Sequence, residues 1–219
     1  MHSLTLICTR HEELGACNVD TLYEAFKLVK PRIIFEELPA SKYNEYHISN
    51  TKSNLETQAT NRYKCNNTVE LVLVDAEIDP GEIISKYEGI QREVNGSINR
   101  LGFDYRSFVD SQKRRVFSEG FVFLNSKDSE QYNSSINRLI KEALILFNND
   151  EYSAILDEWE AVILSREESM IENIYEYCSN FDFEKGVFLI GASHRQSIIE
   201  KIRTYNESAP LKINWENVD

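Results

Sequence analysis

This chain contains two apolar, β-prone runs that lie far apart in the sequence and are each followed by a histidine. Leu4-Thr-Leu-Ile-Cys-Thr-Arg-His11 stands near the start, and Gly186-Val-Phe-Leu-Ile-Gly-Ala-Ser-His194 stands near the end. Continuous apolar runs of this length are typical of strands that are buried on both faces of a parallel sheet. Side chains just beyond the carboxyl ends of such strands converge in the crevice where ligands bind. The sequence therefore predicts that His11 and His194 belong to a functional site.

Two further runs of the same kind end in acidic residues, at Ile33-Ile-Phe-Glu-Glu-Leu38 and at Val69-Glu-Leu-Val-Leu-Val-Asp75. Between the first strand and the Ile33 strand, Leu22, Phe26 and Val29 recur with the period of a helix, which predicts a strand–helix–strand unit with a right-handed crossover. We predict an α/β fold with a mainly parallel sheet flanked by helices.

The secondary structure of the rest of the chain is predicted mainly from apolar residues that recur with the period of a helix. We expect helical segments over about 41–65 and 81–101, two long helices over about 128–180, a helix over about 196–205 and a terminal edge strand over about 211–215. Residues 104–125 mix aromatic and basic side chains without a clear period. The chain has 219 residues, is 42% hydrophobic and shows no linker, so we expect one domain over 1–219, with about 79–150 forming a cap or helical insertion.

Composition argues against several classes of partner. The net charge of −12 disfavours binding to nucleic acid or to an anionic membrane surface, since both attract an excess of Lys and Arg. An acidic surface would suit a basic protein partner. The four cysteines show no paired spacing and are expected to be reduced thiols, and no signal peptide or membrane span is visible. We therefore expect a cytoplasmic protein.

Four strand-end residues are the candidates for chemistry: His11, Glu37, Asp75 and His194. Two imidazoles and one or two carboxylates are a ligand set that holds a divalent ion and leaves a position for water, so His11, Glu37 and His194 are predicted metal ligands. Without a metal, one histidine would act as a general base that a carboxylate orients. Because Glu36 and Glu37 are consecutive in a strand, one of the two should point into the crevice.

Arg166 is a further candidate, because it shares a helix face with Met170 and so lies at the edge of a buried stripe. There it would pair with a site carboxylate or bind a substrate anion. The alternative is an ordinary salt bridge with a glutamate of the same helix.

Taken together, these pieces resemble the erythromycin esterase / ChaN-like superfamily, which includes the TraB and Tiki proteins. Cys8-Thr-Arg-His11 resembles a first G-x-x-H motif, with cysteine in place of glycine, and Gly191-Ala-Ser-His194 resembles the second. Pro31-Arg-Ile-Ile-Phe-Glu-Glu-Leu38 resembles the acidic second strand of the superfamily, and Arg166-Glu-Glu-Ser-Met170 resembles its R-x-x-x-M helix. On matched positions the resemblance implies site roles for His11, Glu37, Arg166 and His194.

The resemblance implies a hydrolase with an α/β fold and a central cleft, either a metal-dependent peptidase like Tiki proteins or an esterase in which histidine activates water. In the first case the ion would be Mn, Co or Zn and the substrate a peptide; in the second, the substrate would be a small ester. Because ChaN-like members bind haem, a non-catalytic haem-binding protein is the main alternative. A protein-interaction module on the same fold is another, and the chemistry cannot be inherited from the scaffold alone.

Overall fold

A five-stranded, all-parallel sheet lies at the centre of the computed structural model, which describes residues 2–49 and 51–218. Its strand order is β3-β2-β4-β1-β5. The strands are β1 (Ser3–Thr9), β2 (Ile33–Glu36), β3 (Glu70–Leu73), β4 (Lys185–Gly191) and β5 (Asn214–Glu216). The predicted α/β class with a parallel sheet is confirmed, and the predicted terminal edge strand is β5.

The strand β4 lies between β1 and β2, although it comes from the far end of the chain. Thr9 of β1 pairs with Gly191 of β4, and Glu36 of β2 pairs with Leu189 of the same strand. The strand–helix–strand unit predicted near the start therefore exists, but its two strands are not neighbours. This insertion of β4 brings the end of the Gly186 run between the ends of the His11 and Glu37 runs.

The described residues form eight α-helices. They are α1 (Val19–Val29), α2 (Leu55–Lys64), α3 (Gly81–Gly96), α4 (Arg100–Glu119), α5 (Phe121–Leu124), α6 (Lys127–Phe147), α7 (Asp150–Asn180) and α8 (Arg195–Ser208). The segment expected to be helical over 41–65 is divided: a 3-10 turn spans Ala40–Lys42 and a π-turn spans Asn44–Ile48 before α2 begins. The aperiodic region 104–125 is mostly helical, within α4 and α5.

Local capping explains where these helices begin and end. Asn18 caps α1 by accepting a hydrogen bond from the backbone N–H of Thr21, and Lys30 ends the helix in a left-handed conformation before Pro31. At α2, Asn54 and Thr57 exchange hydrogen bonds between side chain and backbone, which forms a reciprocal cap. This cap sets the start of the helix that carries Glu56.

Helices cover both faces of the sheet. On one face α7 and α8 pack over the sheet through buried side chains that include Met170, Ile174 and Ile198. On the other face α1 and α2 supply Phe26 and Tyr63, and α5 adds its own apolar residues. Because both faces are covered, the open edge for ligands is the row of carboxyl strand ends.

A third apolar cluster lies outside the sheet and joins α3, α4 and α6 to the first half of α7. Most of its residues fall within 79–150, and the others belong to the start of α7; that 79–150 forms a cap or helical insertion stays a prediction. With 31 residues, α7 is about 46 Å long at 1.5 Å per residue, so it runs from this cluster onto the sheet. Arg166 lies between the two parts, since Trp159 packs in the helical cluster and Met170 in the sheet core.

Side chains complete the outer edge of β1 where β5 ends. The strand β5 pairs only with Ser3–Thr5, and further along the amide of Asn125 both accepts from the backbone N–H of Cys8 and donates to its carbonyl. Asn217 donates to the carbonyl of Leu6. No helix within the described part of the chain is both long and apolar enough to cross a membrane.

Candidate functional site

The four predicted strand-end residues lie at one edge of the sheet, at the ends of four strands that are neighbours in it. Asp75 follows β3, Glu37 follows β2, His194 follows β4 and His11 follows β1. The Nε2 atom of His194 lies 3.4 Å from Oε1 of Glu37, and His11 and Glu37 line the same cleft. The predicted gathering of His11, Glu37 and His194 at neighbouring strand ends is thereby confirmed.

Glu37 is the centre of this arrangement, and each of its carboxylate oxygens has a donor. Oε2 accepts a 2.7 Å hydrogen bond from the backbone N–H of Gly191, at the end of the neighbouring β4. Oε1 accepts a 2.9 Å hydrogen bond from Nη2 of Arg166 and faces His194. Of the two consecutive acids, Glu37 is therefore the one that points into the crevice.

Arg166 reaches the strand ends from α7 and joins two of them. Its Nε and Nη2 atoms both contact the carboxylate of Asp75, at 3.2 Å and 2.6 Å, while Nη2 also contacts Glu37. The side chain is only 13% exposed, so these charge-assisted hydrogen bonds act in a partly desolvated setting. The predicted pairing with a site carboxylate is confirmed. Among the described residues, Arg166 forms no salt bridge with a glutamate of its own helix, which was the alternative.

His194 is buried between two carboxylates. Its Nδ1 lies 2.7 Å from Oε1 of Glu167, which is the residue next to Arg166 on α7. Glu167 is itself buried, and its second oxygen accepts a hydrogen bond from Ser197 on α8. The Glu37 and Glu167 carboxylates therefore lie on opposite sides of one imidazole ring.

The charges of this group are strongly coupled. Burial alone would lower the pKa of His194, but Glu37 and Glu167 outweigh it and raise that pKa to about 10. Burial alone would likewise raise the pKa of Glu37, but His194 and Arg166 hold it well below its usual range. At neutral pH His194 is therefore an imidazolium and Glu37 a carboxylate.

His11 lies in a different environment, at the surface of the cleft. Its side chain is 62% exposed, and Nδ1 lies 3.4 Å from Oε1 of Glu56, near the start of α2. The backbone N–H of Leu55 donates to the carbonyl of His11, and Thr9 donates to the same Glu56 oxygen. The contact with Glu56 raises the pKa of His11 above its usual 6.5, although burial opposes it.

The cleft beside these residues has a volume of about 520 Å³. One wall is the loop after β2 with the 3-10 turn, and the other is the loop that joins β3 to α3. The polar and charged side chains that line it are His11, Glu37, Ser41, Lys42, Tyr46, Asn54, Asp75, Glu77, Asp79 and Arg166. A cleft of this size accommodates a small organic molecule.

Glu36, the other of the two consecutive acids, belongs to a second, buried pair. Its Oε2 lies 2.9 Å from Nε2 of His47, in the π-turn, and Nδ1 of His47 lies 2.9 Å from the side-chain oxygen of Asn61. Burial alone would lower the pKa of His47, but Glu36 raises it above its usual value. This pair attaches the π-turn, and with it Tyr46 of the cleft wall, to the end of β2.

The predicted metal ligands do not fit a metal ion as they are arranged. Among residues 2–49 and 51–218, no group of three or more His, Cys, Asp and Glu side chains is placed to hold one. The carboxylate of Glu37 is already engaged by Arg166 and Gly191, and both nitrogens of His194 face carboxylates. Binding of Mn, Co or Zn at His11, Glu37 and His194 stays a prediction, and we derive no chemical step through a metal.

Sequence reasoning missed both carboxylates that hold the histidines. In the sequence, Glu167 is visible only as a neighbour of Arg166. Its contact with His194 arises because α7 packs beside the end of β4. Glu56 lies two residues after Asn54, in the Asn-Leu-Glu-Thr segment that forms the cap of α2. That capping signal could have placed Glu56 at a helix start, but not beside His11.

We compared the chain with protein-family models, with curated proteins and with solved structures, and none of them matches.

Proposed function

We propose that this protein is a hydrolase that activates water with His11 at the edge of the cleft. The observation that carries the proposal is the pair of His11 and Glu56, because a carboxylate at Nδ1 leaves Nε2 as the basic nitrogen. Unlike the buried His194, the His11 side chain is 62% exposed, so it can exchange protons with water in the cleft.

The reaction would be the hydrolysis of an ester or a peptide bond. Nε2 of His11 removes a proton from water, and the water oxygen bonds to the acyl carbon while the carbonyl oxygen takes up negative charge. The protonated His11 then gives its proton to the leaving group as the bond to the acyl carbon breaks. Glu56 and the ionised Glu37 both stabilise the imidazolium form of His11 in this step, since both raise its pKa.

Arg166 is the candidate for stabilising the negative charge on the carbonyl oxygen. Its Nε and Nη2 atoms hold Asp75 and Glu37, while Nη1 makes no hydrogen bond with the described residues. Arg166 lines the cleft, so Nη1 is the group that a substrate oxygen would meet. His194 does not line the cleft; we assign it the role of positioning Glu37 from behind.

The resemblance to the erythromycin esterase / ChaN-like superfamily supports this proposal, because the four segments that carry the resemblance contain His11, Glu37, Arg166 and His194. The esterase members, in which histidine activates water, offer the closer parallel to an exposed His11 paired with Glu56. A cytoplasmic location and a small ester or peptide substrate remain part of the proposal.

The test measures whether the purified 219-residue chain hydrolyses a series of p-nitrophenyl esters and a mixture of fluorogenic peptides. We expect turnover that His11→Ala lowers by about 10²–10⁴-fold, the usual contribution of a general base. The matched control is Lys27→Ala, which removes an exposed pair with Glu24 and a contact with the Tyr23 ring, and it should leave the rate unchanged. Turnover that survives His11→Ala would refute the assignment, and a Soret band on titration with haem, without turnover, would favour the ligand-binding alternative.

A further inference from the structure

A small enclosed recess lies beside the cleft, at the ends of β1 and β2. It shares His11, Glu37, Leu38 and Asn54 with the cleft and extends to Glu36 and Glu56. The space open to the centre of a water molecule is about 10 Å³. That is close to the smallest volume that holds a single water.

Two of the residues that line this recess each have a carboxylate oxygen with no donor within the described residues. These oxygens are Oε1 of Glu36 and Oε2 of Glu56, and the two residues are only 1% and 6% exposed. The other oxygen of Glu36 is held by His47, and the other oxygen of Glu56 is held by Thr9. A buried carboxylate oxygen without a donor is costly, so both oxygens require a partner.

We propose that the recess binds one water molecule, which donates one hydrogen to Glu36 Oε1 and the other to Glu56 Oε2. A water molecule has two donors, and these match the two acceptors on residues that line the recess. The water then connects two histidine–carboxylate pairs, His11 with Glu56 and His47 with Glu36.

A divalent cation is the competing occupant, because three carboxylates line the recess. Glu36 already faces His47, and Glu37 is neutralised by Arg166 and His194. The described part of the chain also holds no group of three acidic or histidine side chains placed as metal ligands. These facts favour a neutral occupant with hydrogen-bond donors.

The position of the recess gives the water a role, which rests on the proposed function. Because His11 lines both the recess and the cleft, the bound water lies next to the proposed base. Both of its hydrogens are donated to carboxylates, so it has none to give to His11. It instead holds Glu56, whose other oxygen faces Nδ1 of His11. We assign this water a positioning role: it fixes Glu56 and, through Glu56, the imidazole of His11, while the water that is consumed in hydrolysis comes from the cleft.

The first test is a high-resolution crystal structure of the unmodified protein, grown without divalent ions and then soaked in Mn²⁺. We expect one density peak in the recess at hydrogen-bond distance from Glu36 Oε1 and Glu56 Oε2, with no anomalous signal. An anomalous peak there, or direct contact between the two carboxylates with no density between them, would overturn the proposal. Neither result depends on whether the protein has activity.

The second test removes one acceptor without leaving an unpaired charge. The double change Glu36→Met with His47→Leu replaces the buried pair by apolar side chains of similar size, a kind of exchange that proteins often tolerate. We expect the water peak to disappear and kcat on p-nitrophenyl acetate to fall at least tenfold, with KM nearly unchanged. Unchanged kcat without the peak, or no hydrolysis by the unmodified protein, would overturn the positioning role and leave the water site itself to the first test.

If the double variant does not fold, Glu36→Gln provides the same information, with thermal unfolding as the check on folding. An amide nitrogen at this position donates instead of accepting, so the water must turn and can no longer donate to both sides. We expect the peak to shift or weaken. A peak with unchanged position and distances would contradict the assigned hydrogen bonds.

Discussion

The imidazole of His194 lies with Nδ1 2.7 Å from a carboxylate oxygen of Glu167, and this contact joins the end of β4 to the middle of α7. The neighbouring residue on α7, Arg166, holds the ends of β2 and β3. Two consecutive residues of one helix therefore connect three strand ends. Changes in this part of α7 are expected to affect both the site and the stability of the sheet.

Replacing Arg166 by methionine should destabilise the protein by about 3–5 kcal/mol, because it leaves the buried Asp75 without a cation and Glu37 with His194 alone. Urea unfolding followed by circular dichroism measures this loss. Arg138→Met, which breaks an exposed pair with Glu142, should cost less than about 1 kcal/mol and serves as the control. A similar small cost for both variants would mean that the Arg166 contacts contribute little.

Stability should fall as pH rises above neutral. The pKa of His194 is about 10 in the folded protein and about 6.5 in the unfolded chain, so the folded state binds the proton more tightly. The stabilisation is complete below about pH 6.5 and is lost as pH approaches 10. Urea unfolding at pH 6, 8 and 10 measures this slope, and Glu167→Gln should flatten it. A slope equal in both proteins would contradict the coupling of His194 to Glu167.

Acid should destabilise the protein through Glu37. Its pKa is held well below the usual value in the folded state, so its stabilising contribution is present above about pH 4.3 and is lost as pH falls toward the folded pKa. Glu37→Gln should reduce the loss of unfolding free energy between pH 5 and pH 3. Glu24→Gln, an exposed residue, should leave that loss unchanged.

The pH dependence of hydrolysis should follow His11. Since Glu56 raises the pKa of His11, kcat/KM should decrease on the acid side at a pH above 6.5, where the base becomes protonated. Glu56→Gln should move this acid limb to lower pH, because the neutral amide no longer stabilises the imidazolium. A pH profile that is identical in the two proteins would show that another group is the base.

Removal of divalent ions should leave hydrolysis intact, because Arg166 and Gly191 engage the carboxylate of Glu37. Dialysis against chelator followed by the ester assay measures this, and calorimetry with Mn, Co and Zn is the complementary measurement. One ion bound per chain, with binding that weakens below about pH 6 and disappears in His194→Ala, would restore the metal-dependent mechanism.

Periodicity and strand-end chemistry were enough to predict much of this protein. Apolar runs that end in His11, Glu37, Asp75 and His194 indicate buried parallel strands, because such strands need apolar side chains on both faces. Parallel strands end at a common edge, so the four residues could be assigned to one site. Arg166 could be added because its place beside a buried stripe requires a charged partner.

Only the tertiary structure decided which partner each of these groups has. The order of strands is not encoded in any local pattern, and it is the insertion of β4 between β1 and β2 that brings His194 to Glu37. The same packing supplies Glu167 and Glu56, which raise the pKa of the buried His194 and of the exposed His11. Protonation depends on burial and on charges distant in sequence, so two histidines that look equivalent in the sequence differ in chemistry.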